Sequence, residues 1–261
     1  MQCLKQKVLR SRPARALALL VLLLFGTLLH AGERVRIAAA ADLRYALNDI
    51  VEAYREEYPG ASIEVIYGSS GKMTTQIANG APYDLFFSAD IAYPEKLKAQ
   101  GHTATDPAAY ATGRIVIWST TLDASELTLE DLADDAVRRI AIAQPSHAPY
   151  GQRAREALNS AGVWEAVQHK LVFGENIGHT AQMTQSGAAQ VGIIALSLAK
   201  FPDLAGHGHH LIDETLHQPL TQGYVVTKRG GDNPQARAFA DFMVSDQAHG
   251  IMARYGFEMA K

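Results

Sequence analysis

The chain has 261 residues, 48% of them hydrophobic and 20% charged, with 24 basic and 27 acidic side chains for a net charge of −3. That length can hold one large domain or two modest lobes. The lone cysteine, Cys3, excludes a disulfide framework, and the acidic balance argues against nucleic acid or an anionic membrane as partner.

Residues 1–31 read as a signal peptide. Lys5, Lys7, Arg10, Arg12 and Arg15 form a basic stretch, 16–29 an apolar run too short for a membrane span, and Leu29-His30-Ala31 ends on a small residue suited to cleavage. A retained N-terminal anchor is the alternative. Cleavage would remove Cys3, five basic residues and no acid, which takes the net charge from −3 to −8. A chain so acidic that binds an anion must do so through local dipoles, because its overall field repels.

The elements then alternate. Val35-Arg36-Ile37-Ala38-Ala39-Ala40-Ala41-Asp42-Leu43 reads as a strand running through small residues into a helix start. Leu43, Ala46, Leu47, Ile50, Val51, Tyr54 and Tyr58 follow at helical spacing. The device recurs in Ile63-Glu64-Val65-Ile66-Tyr67-Gly68-Ser69-Ser70-Gly71-Lys72, with a helix over 71–78 stopped by Asn79-Gly80. Leu85-Phe86-Phe87 reads as a short buried strand, and Asp90 as the cap of the next helix. Strands are expected at 115–119, 140–143, 171–173, 191–194 and 223–227. Helices are expected at 129–133, 151–161, 179–186 and 234–244.

This alternation predicts an α/β protein built on mostly parallel sheets flanked by helices. Tyr110 to Ser119 and Leu220 to Lys228 look like crossings between two lobes; if so, one lobe holds residues 33–112 plus 228–261 and the other 113–227, a placement that leans on the family likeness described next. Ligands of such sheets sit at strand carboxyl ends, where helices begin. A helix start offers unpaired N–H groups and a positive dipole end, and small residues let a ligand approach the backbone. Two such junctions early in the chain therefore point to a small anion.

Three segments carry a family likeness: Ala38-Ala39-Ala40-Ala41-Asp42-Leu43, Gly68-Ser69-Ser70-Gly71 and Gly80-Ala81-Pro82-Tyr83-Asp84-Leu85-Phe86-Phe87-Ser88-Ala89-Asp90. In that order and spacing they resemble the molybdate-binding proteins of periplasmic ABC importers. The likeness continues through Gly192-Ile193-Ile194 to Tyr255-Gly256-Phe257. It implies a two-lobed periplasmic-binding-protein fold with the ligand in the cleft between lobes. It also implies a monomeric periplasmic receptor that closes on molybdate or tungstate and delivers it to a membrane permease, with no cofactor. The ligand positions it implies are the backbone of Ala41 and Asp42, the hydroxyl and N–H of Ser70, and the N–H groups of Tyr150 and Ile177, with Ser69 ranked below Ser70. The chain departs from many members in carrying Asp42 in place of serine and Ala195 in place of tyrosine.

A fully ionised tetrahedral dianion offers only acceptors, so its site needs only donors, and neutral ones suffice in a dry cleft. Asp42 is the exception. Its expected role is capping the helix that begins at Leu43, with acceptance of a ligand's proton as the alternative; the latter would favour phosphate. A receptor for phosphate or sulfate is the neighbouring reading, and a serine hydrolase using Ser70 with Lys72 as base the distant one. The hydrolase is disfavoured because residues two apart on a helix do not face each other. His207, His209 and His210 read as a surface loop, weak metal capture with Asp213 and Glu214 being the alternative. His147 and His179 flank the ligand segments, as solvated or capping residues or as a source of cleft charge.

Overall fold

The computed structural model describes residues 34–260; the leader expected at 1–31 lies outside them. In chain order, strand β1 (Val35–Ala40) enters a short 3-10 turn (Ala41–Leu43) that continues as helix α1 (Arg44–Glu57). Then come β2 (Ile63–Gly68), α2 (Ser70–Ala78), β3 (Leu85–Ser88), α3 (Ala92–Ala99), β4 (Ala108–Gly113) and β5 (Ile115–Trp118). They are followed by β6 (Ile140–Ala143), α4 (Pro149–Ser160), α5 (Trp164–Val167), β7 (Leu171–Gly174), α6 (Ile177–Gln185), β8 (Val191–Ala195) and α7 (Leu196–Ala199). The chain ends with β9 (His209–Leu211), β10 (Leu220–Val226), α8 (Pro234–Met243), α9 (Asp246–Arg254) and β11 (Glu258–Met259).

Two mixed sheets carry these elements. The larger has the order β11-β4-β10-β3-β1-β2 and the smaller β7-β6-β8-β5-β9. The parallel pairs are β1 with β2 and β3, and β6 with β7 and β8. β10 runs antiparallel between β3 and β4, so Leu220–Val226 is hydrogen-bonded in the larger sheet, ahead of the crossing point expected at 227/228. β9 joins the edge of the smaller sheet beside β5, and two of the three histidines expected in a loop, His209 and His210, lie on it. The 129–133 segment is a 3-10 turn at Glu130–Ala133 and not an α-helix.

Strands β1, β3, β5, β6 and β8 are almost wholly buried, as expected of strands covered by helices on both faces. α1 buries Ala46, Leu47, Ile50, Val51 and Tyr54, the stripe read from spacing, while Tyr58 is exposed just past its end. Gly80 holds φ +85° after α2, a conformation that suits glycine at a helix end. Asp90 precedes Ile91, which holds the N-cap position of α3 without a side-chain cap; the Asp90 carboxylate accepts from Ala92 N–H at 2.9 Å.

Close packing of α4 on β6 demands a glycine. A Cβ at Gly151 would lie 2.0 Å from the carbonyl oxygen of Ala143, whereas one at Gly60 would meet nothing within 4 Å. Gly151→Ala should therefore cost at least ~1–3 kcal/mol by overpacking, while Gly60→Ala stays within about 0.5 kcal/mol of the parent. Paired urea denaturation curves check this; equal midpoints for the two variants would refute it.

Candidate functional site

Four helix starts meet at one place. The turn at Ala41, α2 at Ser70, α4 at Pro149 and α6 at Ile177 all line one small cavity. The first two follow strands of the larger sheet and the last two follow strands of the smaller one. Each start leaves N–H groups with no partner inside its own helix. The rest of the wall is Ala40, Gly68, Ser69, Ala89, Ala148 and Tyr150, with Asp42 the one charged residue in it. Wider hollows exist on the surface, such as one lined by Arg114, Thr128, His210 and Glu214, but they lack this convergence of donors.

The residues expected from the sequence come together here. Ala41, Asp42, Ser69, Ser70, Tyr150 and Ile177 all line the cavity and all are buried. Ser70 Oγ accepts from Ala89 N–H at 3.0 Å, which leaves its own hydrogen to donate elsewhere. Ser69 Oγ and His147 Nδ1 are 3.0 Å apart. Partial burial, and then the Lys72 charge, push the His147 imidazole below its usual value, so it is a poor source of positive charge. Lys72 Nζ is 2.9 Å from Glu175 Oε1, so an ion pair holds the base that the hydrolase reading assigned to Ser70. His179 accepts from Glu175 N–H at 3.3 Å, and Asn176 caps α6 by accepting from His179 N–H at 3.0 Å. His207 packs edge-on against Trp118.

Asp42 departs from expectation. Its side chain caps no helix. Oδ2 accepts from Tyr150 Oη at 3.0 Å and from Gln222 Nε2 at 2.6 Å, while Gln222 Oε1 accepts from Tyr110 Oη at 2.6 Å. Ser197 Oγ donates to the Asp42 carbonyl at 2.8 Å. Oδ1 is buried and has no hydrogen-bond partner among the described residues. Burial pushes the Asp42 carboxyl up from 3.8 to about 6, against the opposing pull of Gln222, Tyr150 and the backbone N–H groups of Asp42 and Leu43. Burial likewise pushes the Tyr110 and Tyr150 hydroxyls well above their usual range, so both remain neutral donors.

Gln222, Tyr110 and Ser197 were not singled out from the sequence. Gln222 had a signal: it occupies an inward position of a strand between Leu220 and Val226, and it is fully buried. A polar residue in that register needs a partner. Tyr110 and Ser197 carried none.

Two further contacts bind the halves beside the cavity. Gly71 N–H donates to the His147 carbonyl at 3.0 Å, and Arg153 Nη2 lies 3.0 Å from Asp90 Oδ2. A Cβ at Gly71 would be 2.7 Å from that same carbonyl, so this approach needs glycine.

A two-lobed α/β arrangement with helix starts facing each other across a cleft is the periplasmic-binding-protein fold. Residues 35–258 match the family described as bacterial extracellular solute-binding protein, and the chain belongs to it. It is 33% identical over 225 residues to the molybdate-binding protein ModA of Azotobacter vinelandii, an alignment covering 85% of this chain and 89% of that protein. The solved structure of a periplasmic molybdate-binding protein from the same organism superposes with a TM-score of 0.81 at 29% identity, covering 87% of this chain and all of that one. A substrate-binding domain assigned to a molybdenum ABC transporter of Clostridium difficile superposes with a TM-score of 0.64 at 28% identity, over 87% of this chain and 99% of that one.

The raised Asp42 carboxyl has a consequence for stability. The folded state holds this proton between about pH 3.8 and 6, where the unfolded chain has released it, so stability falls as pH rises through that window. About two pK units correspond to ~3 kcal/mol. Asp42→Asn keeps an acceptor for Tyr150 and Gln222 without the charge. It should match the parent near the acid end of the window and exceed it by up to ~3 kcal/mol at neutral pH. Denaturant unfolding across that range checks this; a constant difference at every pH would refute it.

Proposed function

We propose that this protein is a periplasmic receptor that captures molybdate, and also tungstate, between two lobes and delivers it to the permease of an ABC importer. The observation that carries the reading is the cavity ringed by four helix starts with no basic side chain in its wall. Such a wall offers N–H groups and hydroxyls to a ligand that has only acceptors. The lobes are residues 33–112 plus 228–261 and residues 113–227, with β10 spanning back into the first. The oxyanion is held by the backbone of Ala41 and Asp42, the N–H and hydroxyl of Ser70, and the N–H groups of Tyr150 and Ile177, with Ser69 beside them. Molybdate comes from the relatives, which are named as molybdate-binding proteins. The permease comes from the relative assigned to a molybdenum ABC transporter.

The role is capture and not catalysis. The Lys72–Glu175 pair supports this reading, because it engages the lysine that a Ser70 nucleophile would use as base. Location follows from the leader and from the periplasmic relative. Among the described residues no helix is long and apolar enough to cross a membrane. The receptor acts as a monomer and carries no resident cofactor.

One observation favours a second oxyanion. The Asp42 Oδ1 without a partner would suit an anion that brings its own hydrogen, such as hydrogen phosphate. Calorimetric titration of dialysed protein with molybdate, sulfate and phosphate in turn separates the readings. Tight binding of molybdate is expected; binding of phosphate alone would overturn the ligand, and binding of none would overturn the receptor.

Ser70→Ala removes one donor to a buried charge and should weaken molybdate binding by ~1–3 kcal/mol. Unchanged affinity in the same calorimeter would take Ser70 out of the site.

A further inference from the structure

Asp42 poses a problem that the donor-ringed cavity does not solve. An anion held by four helix starts would face a carboxylate in the same wall. Two negative groups at contact distance in a medium that screens weakly repel strongly. One oxygen, Oδ2, is already saturated by Tyr150 and Gln222. The other, Oδ1, is buried and makes no well-formed hydrogen bond among the described residues, with only the backbone N–H groups of Asp42 and Leu43 beside the carboxyl, although nine-tenths or more of buried polar groups find a partner.

Among the described residues no cation is placed to neutralise the pair. Across from Asp42 stand Tyr150 of α4, Tyr110 of β4, Gln222 of β10, Ser197 of α7 and Ile177 of α6, none of them charged. The charged groups on the same and adjoining segments are engaged elsewhere. Arg44 of α1 stacks over Tyr67, and Lys72 of α2 pairs with Glu175. Arg153 of α4 pairs with Asp90 and Glu156, and Arg114 after β4 pairs with Glu258 and Glu214. His147 lies against Ser69, and His179 of α6 against the Glu175 backbone. No charged neighbour contributes to the state of the Asp42 carboxyl, which is set by burial and hydrogen bonding. What can neutralise it is a proton.

We propose that the Asp42 side chain is itself a ligand-contacting group, in which Oδ1 carries a proton and donates it in a hydrogen bond to the bound oxyanion, so that each molybdate captured takes up one proton from solvent. This rests on the molybdate reading above. The step balances simply: dianion, carboxylate and one solvent proton enter, and a complex with a neutral carboxyl leaves. The free protein is already halfway there, since burial holds this carboxyl at about 6 and an anion in contact with it raises the value further. Tyr150 and Gln222 act as positioning residues. By occupying Oδ2 as donors they direct the proton to Oδ1, the oxygen left without a partner. Receptor and proton are thereby linked: affinity is highest where the proton is already present and falls as pH rises.

The experiment is calorimetric titration of the mature protein with micromolar sodium molybdate, from about pH 6 to about pH 8.5, in buffers of different ionisation enthalpy. The slope of observed heat against buffer ionisation enthalpy counts protons. Uptake approaching one proton per molybdate is expected at the alkaline end, with affinity falling close to tenfold per pH unit there. Asp42→Asn places an amide N–H where the acid proton would be. It should bind molybdate with no uptake attributable to this site and an affinity that no longer depends on pH. Binding by the wild-type protein with no proton uptake and a flat pH profile would overturn the proposal while leaving the receptor reading intact. Absence of molybdate binding at every pH would instead overturn the receptor reading on which it rests. The wild-type measurements decide the matter even if the variant folds poorly.

Discussion

The structure is organised around four helix starts aimed at one dry point. Their dipoles have the same sign where they meet, and the first N–H groups of each lack partners within the helix. Bringing such ends together costs free energy unless something negative lies among them. In this chain that something is Asp42, buried where the turn after β1 meets Tyr150 and Gln222. The contacts across the two halves are arranged round the same point. Gly71 meets the His147 backbone, Ser197 meets the Asp42 carbonyl, and Lys72 meets Glu175 at the rim. The halves also meet away from the site, where Tyr45 stacks on Phe201.

A basic side chain would seem the simpler way to hold an anion, and the cavity wall has none. The physical difference lies in pre-organisation. A lysine must surrender rotamer freedom and shed its hydration each time it engages, whereas a backbone N–H at a helix start is fixed by the fold. Fixed neutral donors also discriminate by geometry, because they reward a ligand whose acceptors coincide with all of them. The requirement is that ligand and backbone come close, and the residues at the junctions are accordingly small: Ala40 and Ala41, Gly68 with Ser69 and Ser70, and Ala148 ahead of α4. Gly71 is held to the same standard by the carbonyl it must clear.

These features differ in how far they could be seen from the sequence. The strand-to-helix junctions are local. Val35 to Leu43 and Ile63 to Lys72 carry their own pattern of apolar run, small residues and helix onset, so two of the four junctions that line the cavity were visible from spacing, whereas Tyr150 and Ile177 were expected only through the family likeness. The apolar stripe of α1 was visible for the same reason. The partners of Asp42 were not, because Gln222 lies 180 positions away in sequence and Tyr150 108 away. Local rules favoured a helix cap for an aspartate at a helix start. The tertiary structure overrides that rule by offering two stronger donors, a tyrosine hydroxyl and an amide, in a place that water does not reach. The same reach of tertiary context turned a histidine-rich loop into an edge strand, since β5 had an unpaired side and the 209–211 segment could satisfy it.

Asp42 ties stability and ligand capture to one free-energy difference. A carboxylate that folding strips of water, and whose side-chain donors reach only one oxygen, destabilises the protein at neutral pH by the work of keeping it charged. A residue kept for structure alone would be better replaced by a neutral isostere, which could accept from Tyr150 and Gln222 equally well. On the reading proposed here, that strain is released when an oxyanion arrives together with a proton: Oδ1 gains an acceptor, the carboxyl becomes neutral, and the helix starts gain the negative charge they favour. The closed form would then be stabilised twice over, by donors reaching the anion and by relief of a buried charge. A receptor built this way binds most tightly where protons are abundant and loosens as they are withdrawn. Its affinity would thus be set by Asp42 as much as by the backbone donors that surround the ligand.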